Sequence, residues 1–123
     1  MPSTTRSYKD LIVWQKGIAL AKIVYHITRD FPPAEKYGLI TQMRRAAVSV
    51  PSNIAEGQAR HTTGEFIQFI SHAEGSLAEL DTQLILSVQL DFCPEVTAEP
   101  AFALIDELRR MANVLRRTLS ARR

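Results

Sequence analysis

The 123-residue chain holds a single cysteine, Cys93, so an intramolecular disulfide framework is excluded and a reducing compartment is expected. Five glycines and six prolines are too few for a turn-rich β-sandwich, and no β-branched alternating run bounded by turns occurs. No apolar run approaches the ~18 residues of a membrane span. Residues 1–10 lack the apolar centre of a signal peptide. A soluble, cytoplasmic protein with no membrane partner is the expectation. Gly-rich phosphate loops, zinc-protease pairs and Cys-x-x-Cys are missing. His26, His61, His72 and Cys93 share no metal-ligand spacing, so no metal site is expected. No His is preceded, five to seven residues earlier, by the Arg that some helical ribonucleases use.

What is present describes a folded globule. Hydrophobic residues make up 46% and charged residues 23%, and a chain of this length should bury roughly 65% of its unfolded surface. The net charge of +2 names no partner, but its distribution is uneven. Residues 1–63 carry 9 basic and 4 acidic groups. Residues 64–97 carry 6 acidic groups and no Lys or Arg, and residues 98–123 carry 6 basic and 3 acidic. Such segments suit solvated helix faces of complementary sign that help choose helix neighbours. The alternative is that the basic segments form a patch for a polyanion.

Apolar periodicity predicts a single all-α domain over residues 1–123, an antiparallel up-down-up-down four-helix bundle with helices at about 8–30, 34–60, 63–92 and 98–121. Ser7, with Asp10 three residues on, resembles a capping box for the first. Leu11, Trp14, Ile18, Ala21 and Tyr25 form its stripe, yet Ile12, Val13, Ala19, Leu20, Ile23, Val24 and Ile27 lie off it. A helix apolar on more than one face in so small a domain points to a subunit contact. The tandem prolines Pro32 and Pro33 suit the start of the second helix. Its stripe of Ile40, Met43, Ala47, Val50 and Ile54 stays in phase across Pro51, which predicts a kink there rather than a split. Thr62 and Glu65 form a capping box for the third helix, whose stripe is Phe66, Phe69 or Ile70, Ala73, Leu77, Leu80, Leu84 and Val88. Ala101, Leu104, Leu108, Met111, Leu115 and Leu119 mark the fourth.

Beside the apolar stripes lie two polar rows, Ser49, Asn53, Glu56, Arg60 and His72, Ser76, Glu79, Gln83. Folding the second and third helices about a turn near residue 62 levels Arg60 with Glu65, Asn53 with His72, Ser49 with Ser76 and Arg45 with Glu79. A satisfied polar seam of this kind fixes register, because a slip leaves donors unpaired at ~1–3 kcal/mol each. An active site built from Glu56, His72 and Glu79, or a seam lining a subunit contact, are the alternatives. The acid and base groups are spread along the bundle with no activated nucleophile, so no catalytic residue is assigned.

The stretch from Arg44 through Ser49, Pro51, Asn53, Ile54, Ala55 and Glu56 to Gly57 resembles the signature of a bacterial four-helix bundle family. That family is known for proteins encoded within intervening sequences of large-subunit ribosomal RNA genes. Glu65-Phe66-Ile67-Gln68-Phe69-Ile70 with Ala73-Glu74-Gly75-Ser76-Leu77-Ala78-Glu79-Leu80 is similar to its second signature, and Tyr8 to Lys16 to its usual start. The resemblance implies a four-helix protomer assembling into a ring, as a homopentamer. It also implies kinship with the accessory variability determinant of diversity-generating retroelements, a nucleic-acid-binding partner of a reverse transcriptase. It brings no cofactor and no catalytic residue, and an architectural role for the signature positions, with Gly57 and Gly75 permitting close helix approach.

The best candidate for nucleic-acid binding by spacing is the fourth helix. Arg109, Arg116 and Arg123 recur every seven residues on one face, and Arg110 and Arg117 form a second row beside it. Seven residues rise about 10.5 Å. Guanidinium groups bind phosphate bidentately, and no aromatic residue interleaves with them, so backbone-directed, weakly selective binding of RNA or DNA is expected. Ring assembly would multiply a weak patch into avidity. The expectation is therefore a non-enzymatic homo-oligomeric accessory protein for nucleic acid. A scaffold whose basic face meets an acidic partner protein is the alternative.

Overall fold

The computed structural model describes residues 7–122, and among these it contains four α-helices and no strand. α1 spans Ile12–Thr28, α2 Leu39–Gln58, α3 Thr63–Gln89 and α4 Glu95–Ala121. They pack as a four-helix bundle in which α2 lies on α1 and α3, and α4 on α3 and α1. Contacts between neighbours run in opposite directions along the two chains. Arg44 meets Thr28 while Pro51 meets Gly17. Ser49 meets Ser76 while Gly57 meets Phe69. Arg109 meets Asp81 while Arg116 meets Glu74. In each pair the partner's number falls as the residue's own rises, which is how antiparallel neighbours contact one another.

The helix ends follow local chemistry that spacing alone does not resolve. Ser7 does cap, but it caps a 3-10 turn over Tyr8–Asp10, its Oγ accepting from Lys9 N at 3.2 Å. Leu11 is extended, and α1 begins only at Ile12. Pro33 likewise opens a 3-10 turn over Pro33–Glu35, with its fixed φ and missing donor at the first position. Glu35 Oε1 then accepts from Leu39 N at 3.3 Å, so α2 starts at Leu39 and not at residue 34. Thr62 caps α3 as its spacing predicts. Its Oγ1 accepts from Glu65 N at 3.2 Å and donates to Glu65 Oε1 at 2.9 Å. α3 closes on Asp91 in the left-handed region (φ 63°), with Asp91 N bonded to Val88 O and Phe92 N to Ser87 O. α4 follows Pro94 at once, earlier than the expected 98, and continues through Pro100.

The face α1 turns inward is not the stripe that periodicity selects. Val13, Gly17, Leu20, Val24, Ile27 and Thr28 are buried, whereas Ile18 and Tyr25 are exposed and Leu11, Trp14 and Ala21 half-buried. The reason lies across the interface. α2 runs unbroken through buried Pro51, and a Cβ on Gly17 would stand 3.2 Å from Pro51 Cβ. Glycine lets α1 close on the ring, and that contact sets α1's rotation. Gly57 works the same way, since a Cβ there would lie 2.7 Å from Phe69 Cβ. Gly75 does not: it is exposed, with open space around it, so the close approach expected there is absent within the chain. The core joins Leu20, Met43, Val50, Ile54, Ile70, Leu77, Leu80, Leu84, Ile105 and Leu108 from all four helices. Phe31 and Phe92, centroids 5.8 Å apart, tie the two connections at one end of the bundle.

Candidate nucleic-acid interface

The α4 arginines are mostly occupied. Arg116 Nε donates to Glu74 Oε1 at 2.7 Å and its Nη2 to Oε2 at 3.5 Å, a forked pair across the α3–α4 contact. Arg109 reaches Asp81 at 3.9 Å, again on α3. Arg110 turns to Asp106 one helical turn earlier. Arg117 is exposed and has no ion pair among the described residues. Arg123 lies outside the described residues. The lysine- and arginine-free acidic segment and the basic C-terminal segment therefore meet as helix neighbours, and the guanidinium groups that spacing offered to phosphate already hold carboxylates. The hollow beside them, lined by Glu74, Asp106, Arg109, Arg110, Asn113 and Val114, carries both signs equally.

The polar seam forms in part. Ser49 Oγ and Ser76 Oγ are 2.8 Å apart, the levelling expected from the turn near residue 62. Asn53 joins them from its own helix, Nδ2 donating to Ser49 Oγ and to Ser49 O at 2.8 Å each, and not to His72. His72 instead packs edge-to-face with Phe69, centroids 6.0 Å apart. Arg60 pairs with Glu56 at 3.7 Å and lies over the Phe69 ring at 4.7 Å, so it does not meet Glu65. Glu79 accepts from Gln83 Nε2 at 3.2 Å, and Arg45 makes no ion pair with it. Glu56, His72 and Glu79 thus each take a different neighbour, and nothing in those contacts assembles an acid–base pair. Among the described residues no three His, Cys, Asp or Glu side chains group as a metal site, and no helix is long and apolar enough to cross a membrane. Burial pushes the Cys93 thiol above its ordinary pKa, the opposite of what a reactive cysteine needs.

Spacing missed a different surface, on the outer side of α1 and α2. Residues 11–29 and 36–55 contain no Asp or Glu, yet they hold Lys16, Lys22, Arg29, Lys36, Arg44 and Arg45. Lys16 is spent on Glu107 of α4 at 3.0 Å. Lys22 and Tyr25 are exposed on one flank of α1, 3 residues apart, and Arg29 at its C-cap is exposed 4 residues further on. The Arg44 guanidinium of α2 stands over the Tyr25 ring, 4.5 Å from its centroid. Its Nε donates to Thr28 Oγ1 at 2.9 Å and its Nη2 to Tyr25 O at 3.4 Å. Arg45, exposed on the next position, has neither an ion pair nor a hydrogen bond among the described residues. The available signal was the run of carboxylate-free sequence on either side of the prolines, which block-wise net charge averages away. Surface cations without counter-charges, beside an exposed aromatic ring, are what a polyphosphate chain needs from a protein.

Residues 9–114, most of the chain, match the family described as 23S rRNA-intervening sequence protein. No curated protein matches the chain.

Proposed function

Because the chain belongs to the 23S rRNA-intervening sequence protein family, we propose that it is a homo-oligomeric, non-enzymatic accessory protein of the cytoplasm that binds the backbone of RNA or DNA. The observation that carries this is the α1–α2 surface built from residues 11–29 and 36–55, which hold no carboxylate and on which Lys22, Arg44 and Arg45 have no acidic partner, with Arg29 at its end beside Asp30. Arg117 adds one unpaired cation on α4. The family's name, which links its members to intervening sequences of 23S rRNA, supports a nucleic-acid role and leaves the nature of the strand open.

Assembly rests on a second feature. Between the start of α1 and α4 runs a largely apolar groove in which Leu11, Ile12, Val13, Met111, Val114 and Leu115 are joined by Arg110 and Thr118, with Ile12 56% and Val114 62% exposed. We assign it to another copy of the chain, five being the number the family resemblance implies. Repetition of a small basic face around a ring would give avidity that one face lacks.

Titrating labelled single-stranded RNA and duplex DNA at several salt concentrations tests binding. The expected result is measurable affinity at low salt that falls steeply as salt rises, because each neutralised phosphate releases counterions. Absence of binding at low salt overturns the proposal and turns the basic face toward an acidic protein. Light scattering tests assembly: a mass several times the 13.8 kDa of one chain is expected, and Ile12→Asp should reduce it.

A further inference from the structure

Resting on the nucleic-acid reading above, we infer that the hollow at Tyr25, Arg44 and Arg45 is a subsite for an unpaired nucleotide, so that the protein prefers single strands to duplexes. The hollow has a volume of about 530 Å³ and is lined by Tyr25, Thr41, Arg44, Arg45, Val48 and Ser49, with no carboxylate in its wall. That size falls within the ~300–1,000 Å³ of ordinary small-ligand pockets.

The platform is built before any ligand arrives. Thr28 is buried, and its hydroxyl donates to Val24 O at 2.8 Å, which fixes the direction of its oxygen. That oxygen receives Arg44 Nε, and the Tyr25 carbonyl receives Nη2. The Arg44 guanidinium is held over the tyrosine ring by these bonds and by the attraction of a cation for a π face. Its Nη1 keeps both hydrogens without a protein acceptor among the described residues. Tyr25 as a residue is 43% exposed. A planar, weakly hydrated guanidinium backed by an aromatic ring is a stacking surface for a nucleobase. Arg45, free of carboxylates one residue on, supplies a forked donor for the adjoining phosphate.

Strandedness follows from access. In a duplex both faces of each base are covered by neighbours, and the platform lies on the outside of a helical bundle, where it can reach only backbone. Stacking there requires a base already out of the helix or expelled from it at a cost of a few kcal/mol. Lys22 on α1 and Arg29 at its C-cap, one turn to either side of Tyr25, would follow the backbone of the same strand and act on any polyanion.

The experiment is fluorescence anisotropy with a labelled single-stranded oligonucleotide of about ten nucleotides, comparable to the sites of other single-strand binders, and with the duplex of the same sequence. The wild-type protein should bind the single strand more tightly. Tyr25→Ala should weaken single-strand binding about 10-fold while changing duplex binding little, and Tyr25→Phe should restore it because the ring, not the hydroxyl, backs the guanidinium. Arg45→Ala, at an exposed and unpaired position, serves as the second variant and should weaken both ligands with a shallower salt slope. Equal affinity for both strands, with Tyr25→Ala indistinguishable from wild type, overturns this inference and leaves the nucleic-acid reading standing. No binding of either ligand by the wild type at low salt overturns both. An excess of nucleoside monophosphate should compete poorly, since it lacks the neighbouring phosphates; full competition would assign the hollow to free nucleotides and overturn the preference for strands.

Discussion

The α3–α4 face and the α1–α2 face carry similar numbers of cations and use them differently. On α4, Arg109 and Arg116 reach across to Asp81 and Glu74, and Arg110 folds back on Asp106. On α1 and α2, Lys22 and Arg45 have no carboxylate partner, and Arg44 is held by a hydroxyl and a carbonyl. A hydroxyl orients a guanidinium without neutralising it, whereas a carboxylate does both. A row of arginines is therefore no measure of a binding surface. What counts is whether the fold also brings up the counter-charge.

Four measurements press on that contrast. The largest effect is expected from Arg44→Glu combined with Arg45→Glu, which should lower affinity for single-stranded RNA roughly 100-fold, two contacts at ~1–3 kcal/mol each, and cost about 1–2 kcal/mol of stability through the lost Arg44 bonds to Thr28 and Tyr25. If affinity holds, the α1–α2 face is not where phosphate binds. Next comes Arg116→Glu, which sets two carboxylates against each other between α3 and α4. About 2 kcal/mol of stability should be lost in denaturant melts, while affinity stays near wild type. A drop in affinity with stability intact would reverse the roles given to the two faces. Glu74→Gln sharpens the comparison from the other side: Arg116 loses its charged partner, and the slope of log affinity against log salt should steepen by about one unit. The smallest effect belongs to Gly75→Ala on the exposed flank of α3, which should add about 0.5–1 kcal/mol with the assembled mass unchanged. Reduced mass there would mean that a second copy covers this flank.

Much of the scaffold was legible in the residues. The Thr62–Glu65 box, the stripe of α3 and the Ser49–Ser76 contact all follow from spacing, because a capping bond and a short turn set register within a few residues. The failures have identifiable causes. α1 is apolar on several sides, so periodicity could not choose its buried face; Pro51 against Gly17 did. Asn53 found acceptors on Ser49 of its own helix before reaching His72. Arg60 found Glu56 one turn away before Glu65. In each polar case a partner four residues away along the chain won, since holding a side chain to so near a neighbour costs less conformational freedom than reaching across to the next helix.

Four amphipathic helices, the cap of the third, the proline in the second and membership of a helical-bundle family were written in the order of the amino acids alone, because periodicity and capping depend on residues a few positions apart. Which cations remain available was decided only in three dimensions. Arg116 and Glu74 stand 42 positions apart in the chain and 2.7 Å apart in the fold. Whether such a pair closes depends on helix rotation and register together, and those are set by the packing of every other helix in the bundle.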